Sequence, residues 1–208
     1  MRNLPAQTAA QRKKKKVTIA ATAAVGKNVY LDEGVRVLDN AVIQGPAYIG
    51  KNTIIATGAL VRGSHIGSNC VIGFGSEVAR SYVGEGVWTH TNYVGDSIIG
   101  NNVSFGSGAV TGNLRLDEKP IGVVIQNAKS PQGEKINSHR TKLGLITGNN
   151  IRAGINTSFM PGVKIGSNSC VGAGITVAQD IPENSFVTGK WELKIKPNRE
   201  RITHRTPL

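Results

Sequence analysis

One histidine stands where the surrounding sequence would place a glycine. His90 lies in "VWTHTNYVGDSIIG", where Thr89 replaces an aliphatic residue and Tyr93 follows three positions later. An imidazole can accept a proton near neutral pH, so an accessible histidine can serve as a general base. A surface histidine that only holds a backbone carbonyl would fit the same position. The residue type and its place make His90 a candidate for proton transfer, with both interpretations open.

Metal chemistry is not indicated by the sequence. The other histidines, His65, His139 and His204, lack the close paired spacing of a metal motif. Cys70 and Cys170 are far apart and each lies in an apolar segment. We therefore expect two buried thiols, with no disulfide, no thiolate ligand and no metal.

The segment that carries His90 follows a six-residue repeat. An aliphatic residue returns at every sixth position from Val25 to Val61, and the series reappears as far as Val177, often with glycine directly after it. A period of six is typical of parallel β-helices, and this pattern resembles the left-handed β-helix of the hexapeptide acyltransferases. We predict an all-β fold, a left-handed parallel β-helix of about seven coils stacked about 4.8 Å apart.

The repeat also predicts the domain organisation. We place the β-helix at residues 25–188, interrupted by a polar inserted loop at 113–145, and long ordered loops are often functional. Residues 1–24 form a basic segment that is a linker, a capping helix or the remainder of an upstream domain. Residues 189–208 form a basic tail or a short C-terminal cap.

Most of the net charge of +12 lies in the two terminal segments. The run "RKKKK" has no aromatic platform or recognition helix beside it, so we do not expect nucleic-acid binding. The sequence has no apolar run of about 18 residues and no secretory signal, and we expect a cytoplasmic protein without a membrane anchor.

The repeat fails around His90, and function is expected where a consistent local rule fails. Three units near it have five residues instead of six, and Thr89 takes an inward position. If Thr89 points inward, His90 points out of the prism wall, where a substrate or a neighbouring chain can reach it.

Two motifs resemble a known enzyme domain. "HTNYVGD" and, at a fixed distance, "TGNLRLDEK" resemble the C-terminal acetyltransferase domain of bifunctional sugar-1-phosphate nucleotidylyltransferases. The likeness favours the branch that acetylates glucosamine-1-phosphate or galactosamine-1-phosphate for nucleotide-sugar biosynthesis. It implies acetyl-CoA as co-substrate and a homotrimer with sites between the prisms. No nucleotidylyltransferase domain is recognisable, so sugar-nucleotide synthesis is not implied, although such an enzyme could be a partner.

The resemblance also implies roles for particular residues. His90 corresponds to the general base, and Asn113 and Lys119 correspond to catalytic or substrate-orienting positions. Tyr93 corresponds to a residue that binds the sugar phosphate. Contact with the coenzyme is implied for residues of two later coils: Gly154, Ile155 and Ala173.

Two expected lysines are replaced in this sequence. They correspond to Ala79 and Gly122, so the resemblance leaves Arg80, together with Arg62, to bind the substrate phosphate. The loss of these lysines favours an alternative function, a trimerisation or regulatory module without catalytic activity. The retained His90 argues against this alternative. A third interpretation, O-acylation of another sugar, keeps the enzyme class and changes the acceptor.

Overall fold

The computed structural model describes residues 7–127, 130–189, 192 and 194–197. Within these residues, short parallel strands stack into a three-sided prism, which confirms the left-handed β-helix. The prism has about nine turns, more than the seven expected. At its N-terminal end the prism begins before residue 25, because Thr18–Ile19 already pairs with Arg36–Val37, and at the other end Phe186–Val187, within the expected range, pairs with Cys170–Val171.

Each side of the prism is a parallel sheet with one short strand per coil. Face 1 contains Thr18–Ile19, Arg36–Val37, Ile54–Ile55, Val71–Ile72, Val103–Phe105, Ile151–Ala153, Cys170–Val171 and Phe186–Val187, with Trp88 bridging its two halves. Face 2 contains Ala24–Val25, Val42–Gln44, Leu60–Arg62, Glu77–Ala79, Tyr93–Gly95, Val110–Thr111, Ser158–Phe159 and Thr176–Val177. Face 3 contains Val29–Leu31, Ala47–Ile49, His65–Ile66, Tyr82–Val83, Ile98–Ile99, Ile146–Thr147 and Lys164–Ile165.

The core is a column of inward-pointing side chains, one from each side of each coil, and most of them are aliphatic. Val61, Val78 and Val94 occupy successive levels of face 2 and are buried. In the upper coils the column includes Phe105 and Phe159, whose rings pack edge to face at 6.3 Å. Because successive strands are in register, one aliphatic residue in six suffices to keep the core continuous.

Only one of the two cysteines is buried as expected. The Cys70 thiol lies in the core, 3.2 Å from the carbonyl oxygen of Gly84, and burial raises its pKa. Cys170 is partly exposed because it takes an outward position on face 1.

The turns between faces use asparagine as well as glycine. Asn102, Asn150 and Asn168 all have positive φ angles, a conformation that asparagine tolerates better than most residues. Their side-chain amides bond from coil to coil, at 2.8 Å between the first two and 2.9 Å between the last two. Glycine has another role at Gly67, where a Cβ atom would lie 2.4 Å from the carbonyl oxygen of Gly84.

A short helix precedes the first coil. It spans Ala9–Lys14 and begins with a capping box at Thr8. Lys15, directly after it, contacts Tyr30 and Asp32 on the prism at 2.8 Å each. This helix lies in the segment for which the sequence left a linker, a cap or a domain remnant open. No helix in the described part of the chain is long and apolar enough to cross a membrane.

The insertion contains a two-stranded antiparallel hairpin, Gly122–Asn127 and Ser130–Asn137. Buried Ile121 precedes it, and the Lys164 ammonium donates to the backbone oxygen of Val124. The hairpin is thereby held against the prism. Most of the basic C-terminal tail, 189–208, lies outside the described residues.

Candidate active site

His90 lies on the edge between faces 1 and 2, which we call the His90 edge. Thr89 is buried and accepts a hydrogen bond from the Gly73 backbone at 2.8 Å, while His90 is exposed. The His90 backbone is fixed on both sides, since its N–H donates to Asn92 Oδ1 at 2.6 Å and its oxygen accepts from Ser76 Oγ at 2.7 Å. The imidazole projects to solvent from a rigid turn.

Asn92 is a supporting residue that the sequence analysis missed. It is buried, and its amide donates to the backbone oxygens of Gly106 and Ala109 at 2.8 and 3.0 Å while its oxygen holds His90. The corresponding residue is Ser76 in the preceding coil and Ala109 in the following one. A buried amide where the adjacent coils have small side chains was the available signal.

The residues expected to contact coenzyme lie on the same edge, in the coils above His90. Backbone hydrogen bonds connect successive turns of this edge from Thr91 to Gly108, from Ser107 to Asn156, and from Ile155 to Gly174, at 2.8–3.0 Å. A Cβ atom at Gly154 would lie 2.5 Å from the Ala173 nitrogen, so the two later turns are closely stacked. From His90 to Ala173 is three coil steps, roughly 14 Å at the usual strand spacing.

A second group of site residues lies at the other edge of face 2, between faces 2 and 3, which we call the Asp96 edge. The Asn113 amide donates to the Tyr93 hydroxyl at 3.0 Å and also to the Asp96 carboxylate. The Tyr93 side chain therefore runs across face 2 towards this edge. The structure joins Tyr93 and Asn113 directly, and Asp96, a residue of the quoted motif that was not selected from the sequence, holds the Asn113 amide.

Arg80 also binds Asp96. Its guanidinium donates to both carboxylate oxygens, at 2.7 and 2.6 Å, so Asp96 already occupies two of its donors. Burial alone would raise the pKa of the Asp96 carboxyl, but the hydrogen bonds from Arg80 and Asn113 outweigh it and hold that pKa below its ordinary value. Arg62 is paired as well, with Glu77 at 2.6 Å.

The remaining expected positions are dispersed. Lys119 is exposed on the loop after Asn113, with its backbone N–H 3.3 Å from Asp117 Oδ1. Ala79 has no exposed surface, and Gly122 begins the hairpin. Within the described residues of this single chain, His90 and Lys119 make no side-chain contact with the Asp96 group. The expected site is thus divided between two edges and a loop.

Known proteins resemble about half of the chain in sequence. Over 110 residues, 53% of this chain, it is 52% identical to the "Bifunctional protein GlmU" of Methanococcus maripaludis strain C7. Over 97 residues, 47% of the chain, it is 41% identical to a "Bifunctional sugar-1-phosphate nucleotidylyltransferase/acetyltransferase" of Sulfurisphaera tokodaii. The resemblance inferred from the motifs is confirmed. The chain spans about a quarter of the length of these relatives, 25% and 23%. No protein-family model matches the sequence.

Solved structures share the fold. A UDP-N-acetylglucosamine acyltransferase superposes with a TM-score of 0.56 at 17% identity, over 81% of this chain and 67% of that one. The UDP-N-acetylglucosamine acyltransferase of Francisella novicida has a TM-score of 0.51 at 12% identity, over 81% and 66% of the two chains. At these identities the likeness shows the shared β-helix.

Proposed function

We propose that the chain is an acetyl-CoA-dependent N-acetyltransferase whose acceptor is an amino-sugar 1-phosphate, either glucosamine-1-phosphate or galactosamine-1-phosphate. One observation carries the proposal. The exposed His90 imidazole projects from a turn fixed by Asn92 and Ser76, on the same edge as Ile155 and Ala173. A thin pantetheine arm lying along that edge would bring its thioester to the histidine.

The reaction follows from this placement. His90 accepts a proton as the acceptor amine attacks the thioester carbonyl, so a C–N bond forms and the C–S bond breaks. The proton then passes to the departing thiolate, which leaves as the free thiol of coenzyme A. Such a base contributes about 10² to 10⁴ in rate, and holding the two substrates together contributes further.

The acceptor is oriented by Tyr93, whose side chain crosses face 2 between the two edges. Asn113 donates to the Tyr93 hydroxyl and is itself held by Asp96, and Lys119 supplies a cation from the loop. The resemblance supports a homotrimer that works in the cytoplasm, where both substrates occur. Exposed Phe74 and Trp88, 65% and 54% accessible beside the His90 edge, offer contacts to a neighbouring chain.

A thiol-release assay tests the proposal. Purified protein is given acetyl-CoA with glucosamine-1-phosphate, galactosamine-1-phosphate, the two unphosphorylated amino sugars, or glucose-1-phosphate, which has no amine. We expect thiol release with the amino-sugar phosphates only. Equal thiol release with glucose-1-phosphate would indicate O-acylation in place of N-acetylation. No thiol release with any acceptor would contradict the proposed acetyltransferase activity.

One observation favours the second candidate, a non-catalytic module associated with a nucleotidylyltransferase. Arg62 and Arg80 are both neutralised by carboxylates, and Ala79 is buried where the resemblance leads one to expect a lysine. Capture of a nucleotidylyltransferase by the purified chain, with no consumption of acetyl-CoA, would support this candidate.

A further inference from the structure

A cleft lies on the face 3 side of the Asp96 edge, away from His90. It has a volume of about 520 Å³ and is bounded by the prism wall and by residues 140–143, where the inserted chain returns to the coils. This volume is within the range of small-molecule sites. The residues that matter for its chemistry are Tyr82, Ile98, Arg140, Lys142 and the pair Arg80–Asp96.

The cleft carries excess positive charge. Arg80, Arg140 and Lys142 line it with a single carboxylate, that of Asp96, which is already bound by Arg80 and Asn113. Arg140 and Lys142 are exposed and form no ion pair within the described part of the chain. His65 also lines the cleft, and burial lowers its pKa, which disfavours a further positive charge there. Two positive charges therefore remain without a partner.

These two cations are held on ordered backbone. The Arg140 oxygen accepts a hydrogen bond from Ile121 at 2.8 Å, and Lys142 forms a β-bridge with Leu114. The next residue, Leu143, donates from its backbone to the Asn113 oxygen at 3.0 Å. A segment fixed at both ends keeps its charges over the prism wall, and such preorganisation lowers the entropic cost of binding an anion.

Within one chain, the cleft is too far from His90 to hold the phosphate of the proposed acceptor while the amine of that acceptor lies at His90. Face 2 separates the two edges, and the four residue steps from Asn92 to Asp96 span roughly 13 Å in extended conformation. In an amino-sugar 1-phosphate the amine and phosphate occupy adjacent ring carbons, a far shorter span. Within one chain, an anion in the cleft is therefore a different group from that substrate phosphate.

We propose that this cleft is a second binding site, for a phosphate-bearing ligand, with Arg140 and Lys142 as its anchoring cations. Guanidinium and ammonium groups bind phosphate through charge-assisted hydrogen bonds. Tyr82 and Ile98, 53% and 50% exposed, add an apolar wall and a phenolic hydroxyl for an organic part of the ligand. The cleft thus suits an organic phosphate such as a nucleoside diphosphate as well as a free phosphate group.

Calorimetric titration of the full chain, without acetyl-CoA, tests the site. The probes are inorganic pyrophosphate, uridine diphosphate and glucosamine-1-phosphate, and the variant is Arg140→Met with Lys142→Met. For the probe that the wild type binds most tightly, we expect the double variant to bind at least about tenfold more weakly than the wild type. The control Arg36→Met, which removes an exposed cation on face 1, should bind that probe like the wild type. Tighter binding of uridine diphosphate than of pyrophosphate would identify an organic ligand, and equal binding would identify the phosphate group alone.

Two results would overturn the site: no binding of any probe by the wild type, or equal binding by the double variant. Because no acetyl transfer is measured, a failure of the proposed enzymatic function would leave this test unaffected. The thermal unfolding midpoint of the double variant shows whether a loss of binding comes from unfolding.

Discussion

Arg80 and Asp96 form a bidentate ion pair between neighbouring coils, and both residues have left-handed backbone conformations, with φ angles of 48° and 49°. One coil earlier, the same edge has Gly63 with a φ of 59°. A residue with a Cβ costs about 1–2 kcal/mol in this conformation, where glycine costs almost nothing. Arg80 carries this strain, and its ion pair with Asp96 next to Asn113 and Tyr93 makes this edge a candidate functional site.

Asp96→Gly separates the functional role of Asp96 from a structural one. Glycine relieves the backbone strain, which offsets part of the loss of an ion pair in which Arg80 is partly exposed and the Asp96 side chain is 13% exposed, so the unfolding midpoint should fall only modestly. Without the carboxylate, Asn113 and Tyr93 lose their fixed orientation. We expect the KM for the acceptor sugar to rise about tenfold while the KM for acetyl-CoA is unchanged.

Asp96→Asn is the matched control, since asparagine tolerates the same backbone conformation and removes only the charge. It should show the same change in acceptor KM. If both variants keep the wild-type KM in an active enzyme, Asp96 is not a positioning residue, whatever happens to stability.

His90→Ala should lower acetyl transfer by about 10² to 10⁴ in kcat. Its side chain is exposed and its turn is held by backbone contacts, so the assembly and the unfolding midpoint should not change. Steady-state kinetics and size-exclusion chromatography measure the two effects. Equal turnover by the variant and the wild type would exclude His90 as the base.

The stacked rings on face 3 give the fold a pH dependence. The His65 ring lies between Tyr48 and Tyr82, with centroids 4.8 Å away on both sides, and burial lowers its pKa below the ordinary value. The unfolded chain therefore binds a proton more readily than the folded one. The stability that neutral His65 contributes is present above the unfolded pKa of about 6.5 and is lost as pH falls through the folded pKa.

We expect His65→Phe to keep the stack and to lose this dependence. Urea unfolding at pH 7.5 and pH 5 should show the wild type losing more stability at the lower pH than the variant. His139→Asn changes an exposed histidine at a turn with a φ of 55° and should follow the wild type. The idea is wrong if the wild type and His65→Phe respond equally to acid.

Two glycines should differ sharply in their tolerance of alanine. At Gly67 a Cβ atom would meet the Gly84 backbone at 2.4 Å, so Gly67→Ala should cost about 3 kcal/mol as the coils separate. At Gly75 nothing lies within 4 Å of the Cβ position, and only its φ of 61° is unfavourable, at about 1 kcal/mol. Denaturant unfolding measures both, and equal losses would show that glycine is not needed for close stacking.

The sequence predicts the features that repeat and misses those that depend on contacts between coils. Six-residue spacing is a local property, so the β-helix and the break at His90 could be recognised. The roles of Asn92 and Asp96 depend on partners 14 to 17 residues away in neighbouring coils. Arg80 was expected to bind phosphate because its charge is visible in the sequence, whereas its pairing with Asp96 is visible only in three dimensions.

The insertion leaves and rejoins the prism at one corner. The backbone N–H of Leu143 donates to the backbone oxygen of Asn113, and that of Gly144 donates to the backbone oxygen of Asp96 at 2.8 Å. The coil therefore closes as though the intervening residues were absent. The register of the stacked coils thus does not depend on the length or composition of that segment. A change within this segment would therefore alter the loop that carries Lys119 while the scaffold that carries His90 stays the same.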